Sequence, residues 1–325
     1  MNKNDLILSS RIRLARNIDG IPFPSRLSFD EKVRLNHKIR DAVILGNSAI
    51  SSRFRYIDME DITFEDAMEL ARKHLISLDF AKNPKGRAVL ILDDESVSIM
   101  LNEEDHIRIQ VILQGQSLNS AMELADKIDT LLAENLNFAF DDKLGYLTEC
   151  PSNLGTGLRA SLMIHLPVSS KTGYLPRLSN DISKLGLTLR GSYGEGSRSV
   201  SDFYQISNQI TLGMSEGEII DRLISCADKL LGEEMSLIEE SVKDISLLDR
   251  IHRSYGILKN SRLISGNEFS KRISDLRMGI ISGEITDVAL ETADKLINDA
   301  HNGISSNMSA VKRDAIRAEN IRRCL

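Results

Sequence analysis

The densest concentration of reactive side chains lies in Asn102-Glu103-Glu104-Asp105-His106-Ile107-Arg108. Three carboxylates sit beside an imidazole and a guanidinium. On the amino side, Val97, Ile99 and Leu101 alternate with other residues; on the carboxyl side, Ile107, Ile109 and Val111 alternate with Arg108 and Gln110. This period of two predicts two half-buried strands joined by a hairpin loop. A loop held by a rigid sheet can present side chains in fixed positions. Alone, an acidic loop is an ordinary solvated turn, so its meaning depends on the groups that meet it.

Arginines supply candidates. Ser9-Ser10-Arg11-Ile12-Arg13 puts Arg11 and Arg13 on one side of an extended segment. Arg108 lies on the polar side of the second hairpin strand, Arg159 follows Asn153-Leu154-Gly155-Thr156-Gly157-Leu158, and Arg190 opens Arg190-Gly191-Ser192-Tyr193-Gly194-Glu195. Converging guanidinium groups make a polyanion site, because each planar fork of donors matches phosphate oxygens. A transferring phosphoryl group spreads charge over its oxygens, so positioning and charge stabilisation do most of the catalytic work. Any single arginine is as readily read as a solvated surface residue. The G-x-x-x-x-G-K-[ST] loop and the protein-kinase signatures are absent. A nucleotide would therefore be held by arginines rather than by a glycine-rich backbone cradle.

The elements that must position these groups are well marked. Ser28-Phe29-Asp30-Glu31 is a capping box opening a helix through Leu35, Ile39 and Val43 to about Gly46. Thr63 caps a second helix with Ala67, Leu70, Ala71, His74 and Leu75 on one face. Ala88–Leu92 reads as a buried strand, and Ala121 to Leu132 as a further helix. Mixed strands and helices predict an α+β fold, an antiparallel sheet flanked by helices. From Ser215 onward helical periodicity dominates and proline is absent, which predicts an all-helical carboxyl-terminal region.

Bulk properties set limits. The 325 residues suggest two domains, and 42% hydrophobic with 27% charged residues is ordinary for a globular protein. A net charge of -6 gives no general attraction to nucleic acid. Cys150, Cys226 and Cys324 form neither a metal-ligand pattern nor a disulfide framework, which suits a reducing cytoplasm. No signal peptide or membrane-spanning run is expected.

Ser9-Ser10-Arg11-Ile12-Arg13, Asn102-Glu103-Glu104-Asp105-His106, Cys150-Pro151-Ser152-Asn153-Leu154-Gly155-Thr156 and Arg190-Gly191 followed by Gly194-Glu195 together resemble the phosphagen kinase (ATP:guanidino phosphotransferase) family. They occur in the family's order over roughly the first two thirds of the chain. Within the family, the chain is similar to bacterial protein-arginine kinases of the McsB type. The early position of the Ser-Arg-x-Arg motif leads us to expect no all-helical amino-terminal domain. The helical extension and Arg313-Asp314-Ala315-Ile316-Arg317-Ala318 also resemble the bacterial type.

The resemblance implies a catalytic domain over residues 1–237, then a helical domain over 238–325 with a phosphoarginine pocket and possible dimer contacts. ATP would be the phosphoryl donor, with Mg²⁺ bound through its phosphates and no dedicated protein metal site. Arg11, Arg13, Arg108, Arg159 and Arg190 would clamp the phosphates. The nucleotide-contacting segments would be Ser9, Ser10, Arg11, Ile12, Arg13; Arg159, Ala160, Ser161, Leu162, Met163; and Arg190, Gly191, Ser192, Tyr193, Gly194, Glu195, with His74 nearby. His74 is equally readable as a core histidine. Glu104 and Glu195 would hold the acceptor guanidinium and take its proton, with Glu103 and Asp105 as alternatives and Cys150 in support. Arg198 departs from the pattern, which leads one to expect a carboxylate near that point.

Arg313 and Arg317 share a helix face and, with Asp314 and Ala318, would grip phosphoarginine. The implied activity is phosphorylation of arginine side chains in proteins. Implied partners are an activator protein, a Clp-type ATPase chaperone–protease, a heat-shock repressor and a second copy of the chain. A kinase of a free guanidino compound and a catalytically silent phosphoarginine-binding adaptor are the competing readings.

Overall fold

A computed structural model describes residues 2–191, 201–305 and 307–325. Ten strands and ten α-helices occur among them. In chain order they are β1 (Ile7–Arg16), α1 (Phe29–Ile44), β2 (Phe54–Asp58), α2 (Phe64–Arg72), α3 (Leu78–Lys82), β3 (Ala88–Leu92), β4 (Val97–Leu101), β5 (Ile107–Gln114), α4 (Leu118–Ala133), β6 (Phe140–Asp141) and β7 (Gly145–Tyr146). There follow β8 (Leu158–His165), α5 (Leu175–Ser183), β9 (Leu187–Gly191), β10 (Phe203–Asn208), α6 (Glu216–Ser241), α7 (Ile245–Asn260), α8 (Gly266–Ser282), α9 (Leu290–Asp299) and α10 (Ala310–Cys324). The fold is α+β, with eight strands in the order β2-β3-β4-β5-β1-β8-β10-β9 and a separate β6–β7 hairpin. The pairs from β2 to β5 are antiparallel, and Leu101 faces Ile107 at the hairpin root.

Two compact units divide the chain: residues 10–161 with 208–223, and residues 1–9, 162–207 and 224–325. In the first, Ser28 N–H donates to Glu31 Oε2 at 2.8 Å, so the expected capping box starts α1. Thr63 and Asp66 cap α2 in the same reciprocal way. In the second, α7 to α10 are helical as the periodicity requires. The long α6 runs unbroken through residue 237.

Two local expectations change. β4 is buried along its whole length, on both faces, rather than half-buried. Met100 joins Val89 and Ile91 in a cluster with Leu70, Leu75 and Phe80, so the α2–α3 segment covers the face that the alternation left to solvent. His74 is not on a helical face. α2 ends at Arg72, and His74 follows it as an exposed residue with φ +60°. Tertiary packing decides both, because covering a sheet face and turning the chain toward it depend on segments distant in sequence.

Glycines close the turns near Cys150. Gly155 has φ +103°, and a Cβ there would lie 2.2 Å from the Thr211 carbonyl oxygen. Gly155→Ala should therefore destabilise the protein by about 2 kcal/mol or more, combining backbone strain with overpacking. Urea unfolding reads this directly, and a midpoint equal to that of the unsubstituted chain would refute the close approach.

Candidate active site

Three neighbouring strands build a cationic face in the first unit. Strand alternation turns Arg11 and Arg13, half-buried, to one face of β1 while Ile12 and Leu14 are sealed in the core on the other. On β5, Arg108 and Gln110 share a face, and β8 supplies Arg159. β1 lies between β5 and β8 in the sheet, so the arginines meet. Their mutual field is visible in their protonation. Burial, then the charges of Arg108 and Arg159, lower the Arg11 pKa to about 10. Burial, then Arg11, Arg108 and Arg159, push Arg13 well below the usual arginine value. Glu103 is the compensating charge that acts on both among the described residues. Nε of Arg11 and Nε of Arg13 are buried without hydrogen-bond partners among the described residues. A cluster of this kind is completed by a polyanion whose oxygens satisfy the donors and balance the charge.

The hairpin tip sorts its carboxylates by environment. Glu103 is mostly buried, ion-paired to Arg108 and hydrogen-bonded to Ser77 Oγ. Asp105 is fully buried, and its Oδ1 accepts from Asn17 Nδ2 at 2.6 Å and from the Glu149 N–H at 2.9 Å. Burial raises the Asp105 pKa against those hydrogen bonds. Glu104 alone is substantially exposed, its side chain 41% accessible, with Oε2 accepting from Arg108 Nη2 at 3.1 Å. Of the three, Glu104 is the most exposed while remaining attached to the arginine cluster.

The remaining hairpin residues hold that presentation. Asn102 adopts φ +57°, and its Nδ2 donates to Asn36 Oδ1 at 2.8 Å. His106 Nδ1 accepts from the Ile18 N–H at 3.0 Å, so Nε2 carries the proton and donates to the Pro22 carbonyl at 2.8 Å. The Asp105–Glu149 bond joins the residue after Glu104 to the residue before Cys150. Cys150 is half-buried, with Sγ 3.0 Å from Ser152 Oγ.

Two positioning residues escaped the sequence reading. Gln110 is buried, accepts from Arg11 Nη2 through Oε1, and donates from Nε2 to the His74 carbonyl at 2.6 Å. Its place two residues from Arg108 was the available signal. Arg16 is fully buried, with Nη2 donating to Asp129 Oδ2 at 2.9 Å and Nη1 to the Thr156 carbonyl at 3.0 Å, and its guanidinium lies 3.5 Å from the Tyr146 ring centroid. This arginine pins the Cys150–Gly157 loop. Nothing in the Ser9–Arg16 run distinguishes it from a phosphate ligand.

Other expected residues are divided by the same alternation. Ile12, Ala160 and Leu162 are fully buried core side chains, so nucleotide contact through them is limited to backbone. Ser10 Oγ donates to the Gly115 carbonyl and accepts from the Ser117 N–H, and Ser161 is buried. His74 lies near Arg11; partial desolvation, then the Arg11 charge, lower its pKa. Ser9, Leu162, Met163, Arg190 and Gly191 belong to the second unit, where Arg190 is exposed on β9. Ser192, Tyr193, Gly194, Glu195 and Arg198 lie outside the described residues.

On α10, Arg313 Nη1 donates to the Met308 carbonyl at 2.7 Å. Arg317 is buried, with Nη1 donating to the Ile264 carbonyl and to Asp314 Oδ1, both at 2.8 Å, and its Nε has no hydrogen-bond partner. Ala318 is buried beside it in sequence. Among the described residues no group of three His, Cys, Asp or Glu side chains is arranged to hold a metal ion. No helix there is long and apolar enough to cross a membrane.

Comparison with known proteins identifies the family. Residues 34–237 match the C-terminal catalytic domain of ATP:guanido phosphotransferases, and residues 244–325 match the C-terminal domain of protein-arginine kinase McsB. A protein-arginine kinase from Caldanaerobacter subterraneus subsp. tengcongensis is 42% identical over 98% of this chain and 96% of its own length. One from Clostridium acetobutylicum is 42% identical over 100% and 96%. Among solved structures, lombricine kinase superposes with a TM-score of 0.64 at 29% identity, over 74% of this chain and 69% of that one. The duplicated taurocyamine kinase from Schistosoma mansoni gives 0.64 at 31% identity over 72% of this chain, which spans about a third, 34%, of that longer protein. The chain belongs to the ATP:guanido phosphotransferase family, in its protein-arginine kinase branch. The resemblance drawn from the motifs is borne out.

The neutral His106 sets a pH dependence. Burial lowers its folded pKa below 6.5, despite its hydrogen bond to Pro22 and the nearby Asp105 and Glu149. Above 6.5 both states are neutral and stability is complete. As pH falls below 6.5 the unfolded chain binds the proton first, so stability declines until the folded pKa is passed. The slope contributed by one such group is at most about 1.4 kcal/mol per pH unit. Urea midpoints should fall from pH 7 to 5.5, with a shallower decline in His106→Gln; identical slopes in the two proteins would remove this account.

Proposed function

We propose that the enzyme transfers the γ-phosphoryl group of ATP to arginine side chains of proteins, giving phosphoarginine and ADP. The observation that carries this reading is the under-neutralised arginine cluster, with Glu104 attached to it through Arg108. Arg11, Arg13, Arg108 and Arg159, with Arg190, grip the ATP phosphates. The buried Nε donors of Arg11 and Arg13 suit phosphate oxygens. Mg²⁺ is held through those phosphates, where it neutralises part of their charge. Ser9 to Arg13, Arg159 to Met163 and Arg190 to Glu195 form the walls of the nucleotide site, with backbone groups standing in where side chains are sealed in the core.

Glu104 and Glu195 grip the acceptor guanidinium and direct one nitrogen toward the γ-phosphorus. Its lone pair forms the P–N bond as the bond from phosphorus to the bridging oxygen of ADP breaks. The nitrogen's proton passes to a glutamate, and the electron pair of the broken bond leaves with ADP. Cys150 lines the guanidinium pocket. Glu103 tethers Arg108 and Asp105 braces the loop, so neither is assigned the proton.

The domain division is residues 1–237 for catalysis and 238–325 for regulation. Arg313, Asp314, Arg317 and Ala318 form a phosphoarginine pocket in which the arginines take the phosphate and Asp314 the guanidinium. The enzyme works in the cytoplasm as a homodimer with an activator protein. It marks substrates for a Clp-type ATPase chaperone–protease and acts on a heat-shock repressor.

Incubation with ATP and an unfolded arginine-rich protein, followed by mass spectrometry that preserves P–N bonds, should detect phosphoarginine. Glu104→Gln should lower kcat by at least about 100-fold, on the scale of a lost general base. An unchanged rate in Glu104→Gln would overturn the mechanism. Phosphate appearing on a free guanidino compound but not on protein would select the other kinase reading. Arg313→Ala should abolish phosphoarginine binding by calorimetry while leaving the fold intact; undiminished binding would reject the pocket.

A further inference from the structure

The connector between α2 and α3, residues 73–77, meets the arginine face of the first unit at two points. At the first, Gln110 of β5 accepts from Arg11 Nη2 through Oε1, and its Nε2 donates to the His74 carbonyl at 2.6 Å and to Ser98 Oγ at 3.0 Å. Arginine can only donate and a carbonyl can only accept, so one orientation of the amide satisfies both. At the second, Ser77 Oγ donates to Glu103 Oε1 at 2.5 Å, and Glu103 is ion-paired to Arg108. The same hydroxyl accepts from the Phe80 N–H at 3.1 Å, so it caps α3 while it holds the carboxylate.

The connector is itself anchored. Leu75 and Ile76 are buried in one apolar cluster with Phe80, Val89, Ile91 and Met100. His74, between α2 and that anchor, takes a left-handed backbone at φ +60°, which costs energy for a residue with a Cβ. That turn brings its carbonyl to Gln110. Gln110 is buried and the Glu103 side chain is 8% accessible, so water is a poor replacement for either partner in the connector. A buried amide or carboxylate that loses its partner keeps its desolvation cost. The group that restrains Arg11 and the group that restrains Arg108 are therefore both held where the connector puts them.

We propose that Ser77 and Gln110 are positioning residues for the phosphates of ATP: through them the α2–α3 connector sets where the guanidinium groups of Arg108 and Arg11 stand, and a phosphate chain seated on those groups steadies the connector in return. The proposal rests on the clamp role given to Arg11 and Arg108 above. Coupling in binding free energy is reciprocal, so a connector that preorganises the clamp is itself more ordered when the clamp is filled.

Inorganic tripolyphosphate is the probe, because it carries phosphates but no base that could touch His74 directly. Ser77→Gly removes the hydroxyl yet leaves a residue that caps helices nearly as well, Ser77→Thr retains the hydroxyl, and Gln110→Met fills similar space without the amide. By calorimetry, Ser77→Gly and Gln110→Met should bind tripolyphosphate at least about five-fold more weakly than the unsubstituted enzyme, with Ser77→Thr within about two-fold of it. Saturating tripolyphosphate should slow amide hydrogen exchange over residues 73–78 in the unsubstituted enzyme and in Ser77→Thr, but not in Gln110→Met. Undiminished affinity in Ser77→Gly and Gln110→Met overturns the proposal. So does exchange slowed equally in Gln110→Met, or a loss of affinity in Ser77→Thr that matches Ser77→Gly. If Arg11→Ala binds tripolyphosphate as tightly as the unsubstituted enzyme, the clamp reading itself fails and takes the proposal with it. Weak binding by Arg11→Ala, with tight binding by Ser77→Gly and Gln110→Met, refutes the proposal and leaves the clamp standing.

Discussion

Positive charge gathered on one face of the sheet is the constraint on which the first unit is built. Arg11, Arg13, Arg108 and Arg159 share one face of three adjacent strands, and burial together with the charges of Arg108 and Arg159 makes Arg11 and Arg13 harder to keep protonated. A folded chain tolerates this arrangement only if rigid elements hold the side chains against repulsion. Gln110 restrains Arg11, and Glu103 and Glu104 restrain Arg108. On the proposed function, a phosphate chain would relieve that repulsion, and a phosphoryl group in flight, with its charge spread over more oxygens, would gain from the same donors.

The hairpin links that charge to the acceptor side of the reaction. A single carboxylate, Asp105, receives donors from the β1 end and from the Cys150 loop, while His106 and Asn102 fix the turn from either side. Three adjacent acids thus acquire three different environments through burial and hydrogen bonding. Arg16 performs the matching service beneath the Cys150–Gly157 loop, where a buried guanidinium replaces an apolar core contact and satisfies carbonyls that the glycine-rich turn leaves open. In the second unit the polar groups around Asp202 and Asp275 play a comparable part, tying α7 and α8 to the end of β8.

Much of this was legible in the linear sequence. Capping boxes fixed α1 and α2 because their hydrogen bonds span three residues. The period of two located β4 and β5, and helical periodicity located α6 and the helical character of the region after it. The arginines and Glu104 were found because their motifs are long and keep their order. What failed was what depends on distant segments. Met100 reads as the exposed side of a strand until α2 and α3 cover it, and His74 reads as a helical face until the chain turns left-handed to bring its carbonyl to Gln110.

By itself, then, the sequence determined which residue types are available and the local geometry that backbone periodicity imposes: paired arginines on one strand, acids at a hairpin tip, a helical carboxyl-terminal region. Only the tertiary structure decided which arginine is buried as a pin and which stand together on the open face of the sheet, and which of three neighbouring acids faces outward. Those distinctions arise from burial and from hydrogen bonds between residues such as Arg16 and Thr156, or Asp105 and Glu149, that are remote along the chain. Chemical identity is local, whereas desolvation and the field of neighbouring charges belong to the folded environment.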